Sequence, residues 1–331
     1  MKNEFRNKIV LVTGGTGSIG SVLVEKILDF RPKQLRVLSR DENKQYYLME
    51  KLGNPRNVRF FIGDIRDKER LIRAFQNVDI VFHAAALKHV PLCEYNPFEA
   101  VKTNIIGSQN IIDASIQCNV RKIIAISTDK AVHPNNVMGT SKLMMEKLFT
   151  SANYYSGKSQ AIFSCVRFGN VAWANGSVLK LWENQIQKNG RIEITDPDMT
   201  RFFMTTSQAI NLVLQTVSIS QGGEIFVLKM PSITIGNLAK AFLTKYYKGK
   251  NIPVKIIGKR AGEKMHEELL DRHFEPAQML ENNNMMIVLP ITQVYNRKYH
   301  PRSYKGFKKV SSIPESNSSN CINKKMVEKL I

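Results

Sequence analysis

Short apolar runs alternate with amphipathic stretches over the first 130 residues of the chain. The runs cover residues 9–12, 35–38, 58–62, 79–83 and 122–126, and their branched and aromatic side chains are typical of buried parallel strands. Stretches with helical spacing lie between them at 21–30, 42–51, 68–75 and 99–117. A longer helical stretch, 136–154, precedes a sixth run at 163–168. This repeated strand–helix–strand order predicts an α/β fold with a doubly wound parallel sheet of Rossmann type.

The pattern becomes irregular after residue 170, where short β-like pieces at 192–194, 225–228 and 254–257 are mixed with helices and loops. We therefore predict a Rossmann domain at 1–168, joined by a returning segment at about 203–229. Residues 169–202 and 230–331 are expected to form a smaller α/β substrate-binding region with a tail.

Composition adds few constraints to this picture. Lys and Arg number 48 against 28 Asp and Glu, which gives a net charge of +20. A basic balance alone does not establish a partner. Because no nucleic-acid-binding motif accompanies it, we do not expect nucleic acid to be a partner. The four cysteines are far apart and form no metal-ligand spacing, so no metal is predicted. No apolar stretch is long enough to span a membrane, and we expect a cytoplasmic protein.

A glycine-rich turn follows the first strand and opens the first predicted helix. Gly14, Gly17 and Gly20 are spaced three apart, which lets the backbone turn tightly and approach a pyrophosphate at a helix N-terminus. This placement favours a dinucleotide site over a plain tight turn. The turn also contains Thr16, Ser18 and Ile19.

The end of the second strand bears on the choice of dinucleotide. Arg40 stands where a cofactor without a 2′-phosphate would prefer an acidic residue, so we predict NADP. Asp41 follows directly and keeps NAD possible. Further residues at the ends of strands three and four are expected to contact the cofactor: Asp64, Ile65, Ala84, Ala85 and Ala86.

Candidate chemistry follows the fifth strand, where Thr128, Asp129 and Lys130 are consecutive, and the next helix carries Met138 and Lys142. Here the sequence resembles the extended short-chain dehydrogenase/reductase family, which normally has Tyr-x-x-x-Lys on this helix. Met138 occupies the tyrosine position, and a thioether transfers no proton. Two interpretations remain open. Either the chain is a non-catalytic NADP-binding regulator, or the adjacent acid and base at 129–130 support an elimination.

Several further motifs favour the second interpretation, because they resemble nucleotide-sugar 4,6-dehydratases that act on UDP-N-acetylglucosamine (UDP-GlcNAc) and invert C5. They are AALKHVP (85–91), STDKAV (127–132), NVMGTSK (136–142), RFGNV (167–171), TDPDMTRFFM (195–204) and GKRAGEKMHE (258–267). The resemblance runs from about residue 8 to 270, with a weaker echo at 315–318. It departs from the family at 172–175, where the family usually shows small residues and an arginine. Methionine in place of tyrosine is a known variation in this group.

The resemblance implies oxidation at C4, loss of water across C5 and C6, return of hydride to C6, and inversion at C5. It makes Lys130 the base at C5 and Asp129 the acid at the C6 hydroxyl, while Lys142 holds the cofactor ribose. The base for the C4 hydroxyl stays open between Thr128, Lys142 and a water. The resemblance further implies a homo-oligomer, with hexamers as precedent, and UDP-sugar contacts from Lys88, Asn170, Ser177, Arg201, Arg260 and Glu263. A C5-retaining dehydratase or a C4-epimerase on the same fold is the alternative enzyme.

Overall fold

The computed structural model describes residues 2–271, 279–290, 293–294, 297–298, 303–310 and 321–331. The motif echo at 315–318 lies outside these residues. Within them, no helix combines the length and the apolarity that crossing a bilayer requires.

The strands and helices alternate through the first half of the chain as the sequence pattern predicts. The strands are β1 Ile9–Thr13, β2 Gln34–Ser39, β3 Val58–Ile62, β4 Ile80–His83, β5 Lys122–Thr128, β6 Ile162–Phe168, β7 Asn170–Val171, β8 Ile192–Ile194, β9 Thr200–Met204, β10 Ile225–Leu228, β11 Ser232–Thr234, β12 Val254–Ile256, β13 Met279–Glu281, β14 Met285–Val288, β15 Gln293–Val294, β16 Arg297–Lys298 and β17 Lys308–Lys309. The helices are α1 Lys2–Phe5, α2 Ser18–Leu28, α3 Glu42–Lys51, α4 Lys68–Phe75, α5 Val90–Tyr95, α6 Pro97–Ala100, α7 Gly107–Gln117, α8 Val137–Tyr155, α9 Val178–Asn189, α10 Thr206–Ile219, α11 Ile235–Tyr246 and α12 Lys324–Leu330, with a π-helix at Val101–Ile106 and a 3₁₀ turn at Asp129–Ala131.

The large sheet has the strand order β17-β13-β14-β10-β6-β5-β4-β1-β2-β3. Strands β1 to β6 and β10 pair in parallel, so the predicted doubly wound Rossmann sheet is confirmed. Helices cover both faces. One buried cluster joins the sheet to α4, α7 and α8, and another joins it to α2, α3 and α10. The strand order reverses between β1 and β4, and ligands bind in α/β sheets at such a switch point.

The C-terminal half contributes more to this sheet than its pattern indicates. Within the predicted returning segment, α10 packs against α2, and β10 pairs in parallel with β6. Strands β13, β14 and β17 then extend the sheet in antiparallel fashion, although they lie in the range 230–331 that we assigned to the substrate-binding region. Pairing with β10 buries all four residues of β14, which accounts for this addition to the sheet.

A smaller unit lies beside the large sheet. It contains the three-stranded sheet β11-β9-β7, the pair β12-β8, and helices α9, α11 and α12. Its core is built around the fully buried side chains of Trp182 and Phe242, whose rings lie 5.6 Å apart.

The predicted helix at 99–117 is interrupted at its start by the π-helix Val101–Ile106. Asn104 lies in this wider turn, and its buried side chain exchanges two hydrogen bonds with the backbone of Leu87, at 2.8 and 3.0 Å. It also donates to Ser141 Oγ at 2.9 Å. Single π-turns are frequent at functional sites. Here the turn fixes the loop after β4 against α8.

Candidate active site

A cleft of about 810 Å³ opens at the carboxyl ends of the parallel strands. All of the residues predicted to bind the cofactor line it: Gly14, Thr16, Gly17, Ser18, Ile19, Gly20, Arg40, Asp64, Ile65, Ala84, Ala85, Ala86 and Lys142. Of the predicted catalytic residues, Thr128, Lys130, Met138 and Lys142 line it, and so do three of the predicted substrate residues, Lys88, Asn170 and Ser177. The sheet therefore brings most of the predicted site together.

Two glycines let the turn after β1 pack closely against neighbouring backbone. A Cβ on Gly14 would lie 2.7 Å from the backbone of Ala85, and Gly14 has a φ of 64°. A Cβ on Gly20 would lie 2.2 Å from the carbonyl oxygen of Gly14. Helix α2 begins at Ser18, and its N-cap residue, Gly17, has no side chain that could cap the helix. This cradle fits a pyrophosphate on the free N–H groups of the first helical turn.

The end of β2 presents cations to the cleft. Asp41 caps α3, since its carboxylate accepts from Lys44 N at 3.0 Å and pairs with Lys44 Nζ at 2.8 Å. That carboxylate is therefore already paired, whereas Arg40 is half exposed and makes a long contact of 3.5 Å with Asp64. Ser39 Oγ lies 2.7 Å from Thr16 Oγ1 beneath these two cations.

The 3₁₀ turn after β5 holds the acid–base pair. Asp129 is fully buried and does not line the cleft. Its Oδ1 accepts from Thr128 Oγ1 at 2.7 Å, from Lys130 N at 2.9 Å and from Lys130 Nζ at 3.0 Å. Its buried Oδ2 has no hydrogen-bond partner within the described part of the chain. Burial lowers the pKa of Lys130, but the carboxylates of Asp129 and Glu267 outweigh burial, and the net pKa is raised. Lys130 is thus an ammonium in the resting site.

Helix α8 packs directly on this turn. A Cβ on Gly139 would lie 2.3 Å from the carbonyl oxygen of Lys130, so only glycine allows the contact. Met138 is 4% exposed and packs against Cys93 and Ala100. Burial lowers the pKa of Lys142 to about 8, against partial offsets from Cys165 and Glu146.

Two of the predicted substrate residues have unsatisfied buried atoms at the cleft. Asn170 Oδ1 and Ser177 Oγ are buried without a hydrogen-bond partner among the residues that the structure describes, and Ser177 precedes the first turn of α9. Unpaired buried polar atoms are costly in a protein interior. Their position in a cleft indicates that a ligand satisfies them.

The segment 172–175, which departs from the family pattern, joins this wall to the glycine turn. Trp173 has a φ of 59°, and its ring packs edge-on against Tyr246 at 5.2 Å. Asn175 N donates to Ser18 Oγ at 3.0 Å, and Lys88 Nζ donates to the carbonyl oxygen of Asn175 at 2.5 Å. Burial lowers the pKa of Lys88.

The structure does not bring Arg201, Arg260 and Glu263 to the cleft. The Arg201 guanidinium is buried and donates to the carbonyl oxygens of Thr200 at 2.7 Å and Lys264 at 3.0 Å. Glu263 accepts from Arg260 N at 3.1 Å in an exposed turn. A direct substrate contact from these three residues stays a prediction.

Sequence reasoning gave no role to two residues beside the site. Asn104 fixes the loop after β4, and no local signal in the predicted helix marked it out. Glu267 is 3% exposed, and its Oε1 lies 3.7 Å from Lys130 Nζ. It is the last residue of the motif at 258–267, which the resemblance assigned only to substrate binding through Arg260 and Glu263.

Named relatives of this chain include a dehydratase and an epimerase. A Campylobacter jejuni protein named UDP-N-acetylglucosamine 4,6-dehydratase (inverting) is 46% identical over 268 residues, covering 80% of this chain and 78% of that protein. A Rickettsia canadensis protein named UDP-glucose 4-epimerase is 42% identical over 270 residues, with the same coverage of 80% and 78%.

Two similarities extend over nearly the whole chain. A Methanocaldococcus jannaschii protein described as an uncharacterized membrane protein is 48% identical over 336 aligned residues, covering 100% of this chain and 97% of that protein. The X-ray structure of Pen from Bacillus thuringiensis superposes with a TM-score of 0.91 at 43% identity, covering 99% of this chain and 97% of that one.

Residues 10–290 match the family described as "Polysaccharide biosynthesis protein". This match covers most of the chain, and it agrees with the doubly wound sheet and the nucleotide-binding cleft. The chain therefore belongs to the polysaccharide biosynthesis protein family, within the extended short-chain dehydrogenases/reductases.

Proposed function

We propose that this chain is an NADP-dependent 4,6-dehydratase of UDP-GlcNAc that inverts C5 and yields a UDP-2-acetamido-2,6-dideoxy-L-hexos-4-ulose. One observation carries the proposal: Lys130 lines the cleft with its acid partner Asp129 buried 3.0 Å behind it, while Met138 occupies the place of the proton-transferring tyrosine. An acid beside a base suits elimination of water. The name of the Campylobacter relative supports the same reaction and substrate.

The cofactor assignment rests on the cleft's own residues. When bound, a nicotinamide dinucleotide supplies the acceptor and donor of hydride. The Gly14–Ala85 cradle and the N-terminus of α2 would hold its pyrophosphate, and Lys142 would hold the ribose. Arg40 and Lys44 offer two cations to a 2′-phosphate, and guanidinium groups bind phosphate particularly well. These features favour NADP over NAD.

Asp129 and Lys130 must exchange a proton before they can serve as acid and base. The 3.0 Å contact between Lys130 Nζ and Asp129 Oδ1 allows the ammonium to pass a proton to the carboxylate. The products are a neutral amine, which is the base needed at C5, and a carboxylic acid, which is the proton donor needed at the C6 hydroxyl.

The buried position of Asp129 defines how its proton reaches the substrate. Because Asp129 does not line the cleft, its contact with the substrate side passes through neighbouring groups. Thr128 Oγ1 lies 2.7 Å from Asp129 Oδ1 and also lines the cleft. The Thr128 hydroxyl is thus placed to take the proton from Asp129 and pass its own to the departing hydroxyl.

The substrate would occupy the wall of the cleft that carries Lys88, Asn170 and Ser177. Among the described residues, Asn170 Oδ1 is an unpaired acceptor and Ser177 Oγ an unpaired hydroxyl, both suited to sugar or phosphate groups, and Lys88 supplies a cation. The N-terminus of α9, which carries the positive end of the helix dipole, would favour an anion nearby. Together these features fit a diphosphate-linked sugar.

The test is the mass of the product after incubation with UDP-GlcNAc. A product lighter by one water supports the dehydratase, and UDP-glucose serves as the comparison substrate. An isomer of unchanged mass would instead support a C4-epimerase, the activity for which the Rickettsia relative is named. No turnover by a protein that binds the cofactor would support a non-catalytic regulator.

A further inference from the structure

Residues 262–270, here called the docked segment, lie against the turn that carries the acid–base pair. Asn136 Nδ2, at the N-terminus of α8, donates to the carbonyl oxygen of Gly262 at 2.9 Å. Lys264 Nζ donates in the other direction, to the carbonyl oxygen of Val132 at 2.8 Å. These two bonds join the start of the docked segment to both ends of the loop between β5 and α8.

Two buried arginines fix the rest of the docked segment. Arg201 donates to the carbonyl oxygen of Lys264 at 3.0 Å. Arg167 donates to the carbonyl oxygen of Leu269 at 2.8 Å, while a bidentate pair with Glu146, at 3.0 and 2.5 Å, holds its guanidinium. Buried guanidinium groups that donate to backbone carbonyls hold a chain in one position, because breaking them leaves unpaired buried groups.

This docking places the Glu267 carboxylate next to the Asp129–Lys130 pair. Glu267 Oε1 lies 3.7 Å from Lys130 Nζ, compared with 3.0 Å for Asp129 Oδ1. Two further cations face these side chains. Arg201 lowers the pKa of both Lys130 and Glu267, and Lys264 lowers the pKa of Glu267. Burial raises the pKa of Glu267, the Lys130 ammonium opposes this, and Asp129 raises it further.

We propose that Glu267 is a positioning residue for Lys130, holding its Nζ at the cleft and supplying the counter-charge that remains when Asp129 is protonated. The proposal rests on the proposed function, in which Asp129 becomes a neutral acid before Lys130 takes the C5 proton. When Lys130 takes that proton it becomes positively charged, and the neutral Asp129 no longer supplies a negative charge to balance it. A fixed carboxylate nearby stabilises charge that develops in the transition state.

The Glu267 carboxylate should also raise the proton affinity of Lys130 in the protein without substrate. A charge of opposite sign within about 4–6 Å shifts a pKa by about 1–3 units. Replacing Glu267 by glutamine keeps the shape and removes the charge, so the pKa of Lys130 should fall by about one unit or more. Glu268 offers a matched control, because it is the next residue and its carboxylate instead accepts from His133 at 2.7 Å.

The primary experiment is competitive acetylation of Lys130 by acetic anhydride between pH 7 and 11, measured by peptide mass spectrometry on full-length protein. Wild type, Glu267→Gln, Glu267→Asp and Glu268→Gln are compared. The labelling midpoint of Lys130 should move to lower pH in Glu267→Gln and stay within about 0.3 units in Glu268→Gln. An unchanged midpoint in Glu267→Gln, or an equal shift in Glu268→Gln, would overturn the proposal.

Turnover of UDP-GlcNAc provides the second readout. Glu267→Gln should lose at least about tenfold in kcat with a smaller change in KM, and Glu267→Asp should recover part of the loss. Full activity in Glu267→Gln would also overturn the proposal. Labelling needs no substrate, so it decides whether Glu267 is the counter-charge of Lys130 even if UDP-GlcNAc is not turned over.

If Glu267→Gln does not fold, Glu267→Asp is the test by itself. The shorter side chain moves the carboxylate away from Lys130 and keeps its charge. A smaller midpoint shift in the same direction, with a reduced kcat, supports the proposal. A wild-type midpoint and wild-type kcat would contradict it.

Discussion

Replacing Lys142 by methionine should make the protein more stable at neutral pH while it destroys function. Lys142 is 6% exposed, and burial lowers its pKa to about 8 from 10.5. Its Nζ donates to the carbonyl oxygen of Ile126 at 2.5 Å and lies 3.1 Å from Met145 Sδ. Methionine has a similar length and shape but carries no charge that must leave water.

The size of the effect follows from the change in pKa. A fall from 10.5 to about 8 corresponds to about 3 kcal/mol of unfavourable charge burial at pH 7. Losing the hydrogen bond to Ile126 offsets about 1 kcal/mol. Lys142→Met should therefore raise the free energy of unfolding by about 2 kcal/mol at pH 7.

The stability difference should depend on pH with a definite sign. The native pKa of Lys142 lies below the unfolded value, so between pH 8 and 10.5 the unfolded chain holds a proton that the native protein has released. Stability rises with pH wherever the unfolded state binds more protons. The wild type therefore gains stability through this window, and the advantage of Lys142→Met should disappear by about pH 10.

The assay is urea unfolding of cofactor-stripped wild type and variant at pH 7 and at pH 10. Lys147→Met is the matched control, because Lys147 is exposed on the same helix, and it should change stability by less than about 0.5 kcal/mol at both pH values. A destabilised Lys142→Met at pH 7 would refute the reasoning. So would an advantage of equal size at both pH values.

Three further variants test other parts of the site. Arg40→Ala should weaken NADP much more than NAD in calorimetric titrations, since only NADP has a 2′-phosphate; equal losses would make Arg40 an ordinary surface charge. Glu146→Gln should lower the free energy of unfolding by about 3 kcal/mol or more, because it leaves the Arg167 guanidinium buried without its carboxylate; unchanged stability in urea would contradict this. Met138→Ala should keep steady-state turnover within about tenfold of wild type, a change of at most about 1.4 kcal/mol in the barrier. A large rate gain in Met138→Tyr would show instead that the site still requires a tyrosine.

Local pattern predicted the parts of the fold that depend on neighbours in sequence. The strands of the Rossmann sheet follow from the apolar runs. The turn after β1 follows from its glycines, since Gly14 adopts a φ of 64° that favours glycine. The sequence also placed Arg40, Thr128 and Lys130 at strand ends, and the parallel sheet brings them to one cleft. Because strand and helix patterns repeat along the chain, residues at strand ends can be predicted from the sequence alone.

The remaining features depend on contacts between distant residues. Glu267 meets Lys130 across 137 positions of sequence only because two arginines hold the docked segment in place. Nothing in residue type distinguishes Glu267, which is buried, from Glu263, which stays in an exposed turn. The direction of the Arg201 guanidinium, toward backbone carbonyls and away from the cleft, likewise follows from tertiary packing.

The C5 position of the product shows whether the Asp129–Lys130 pair removes and replaces the C5 proton without a tyrosine. Wild type is incubated with UDP-GlcNAc in heavy water, and the ketone product is analysed by proton NMR. We expect one deuterium at C5 in an L-configured 4-keto-6-deoxy sugar, and we expect Lys130→Ala to give neither the ketone nor deuterium exchange at C5. A D-configured product, or the same deuterated L-product from Lys130→Ala, would contradict it.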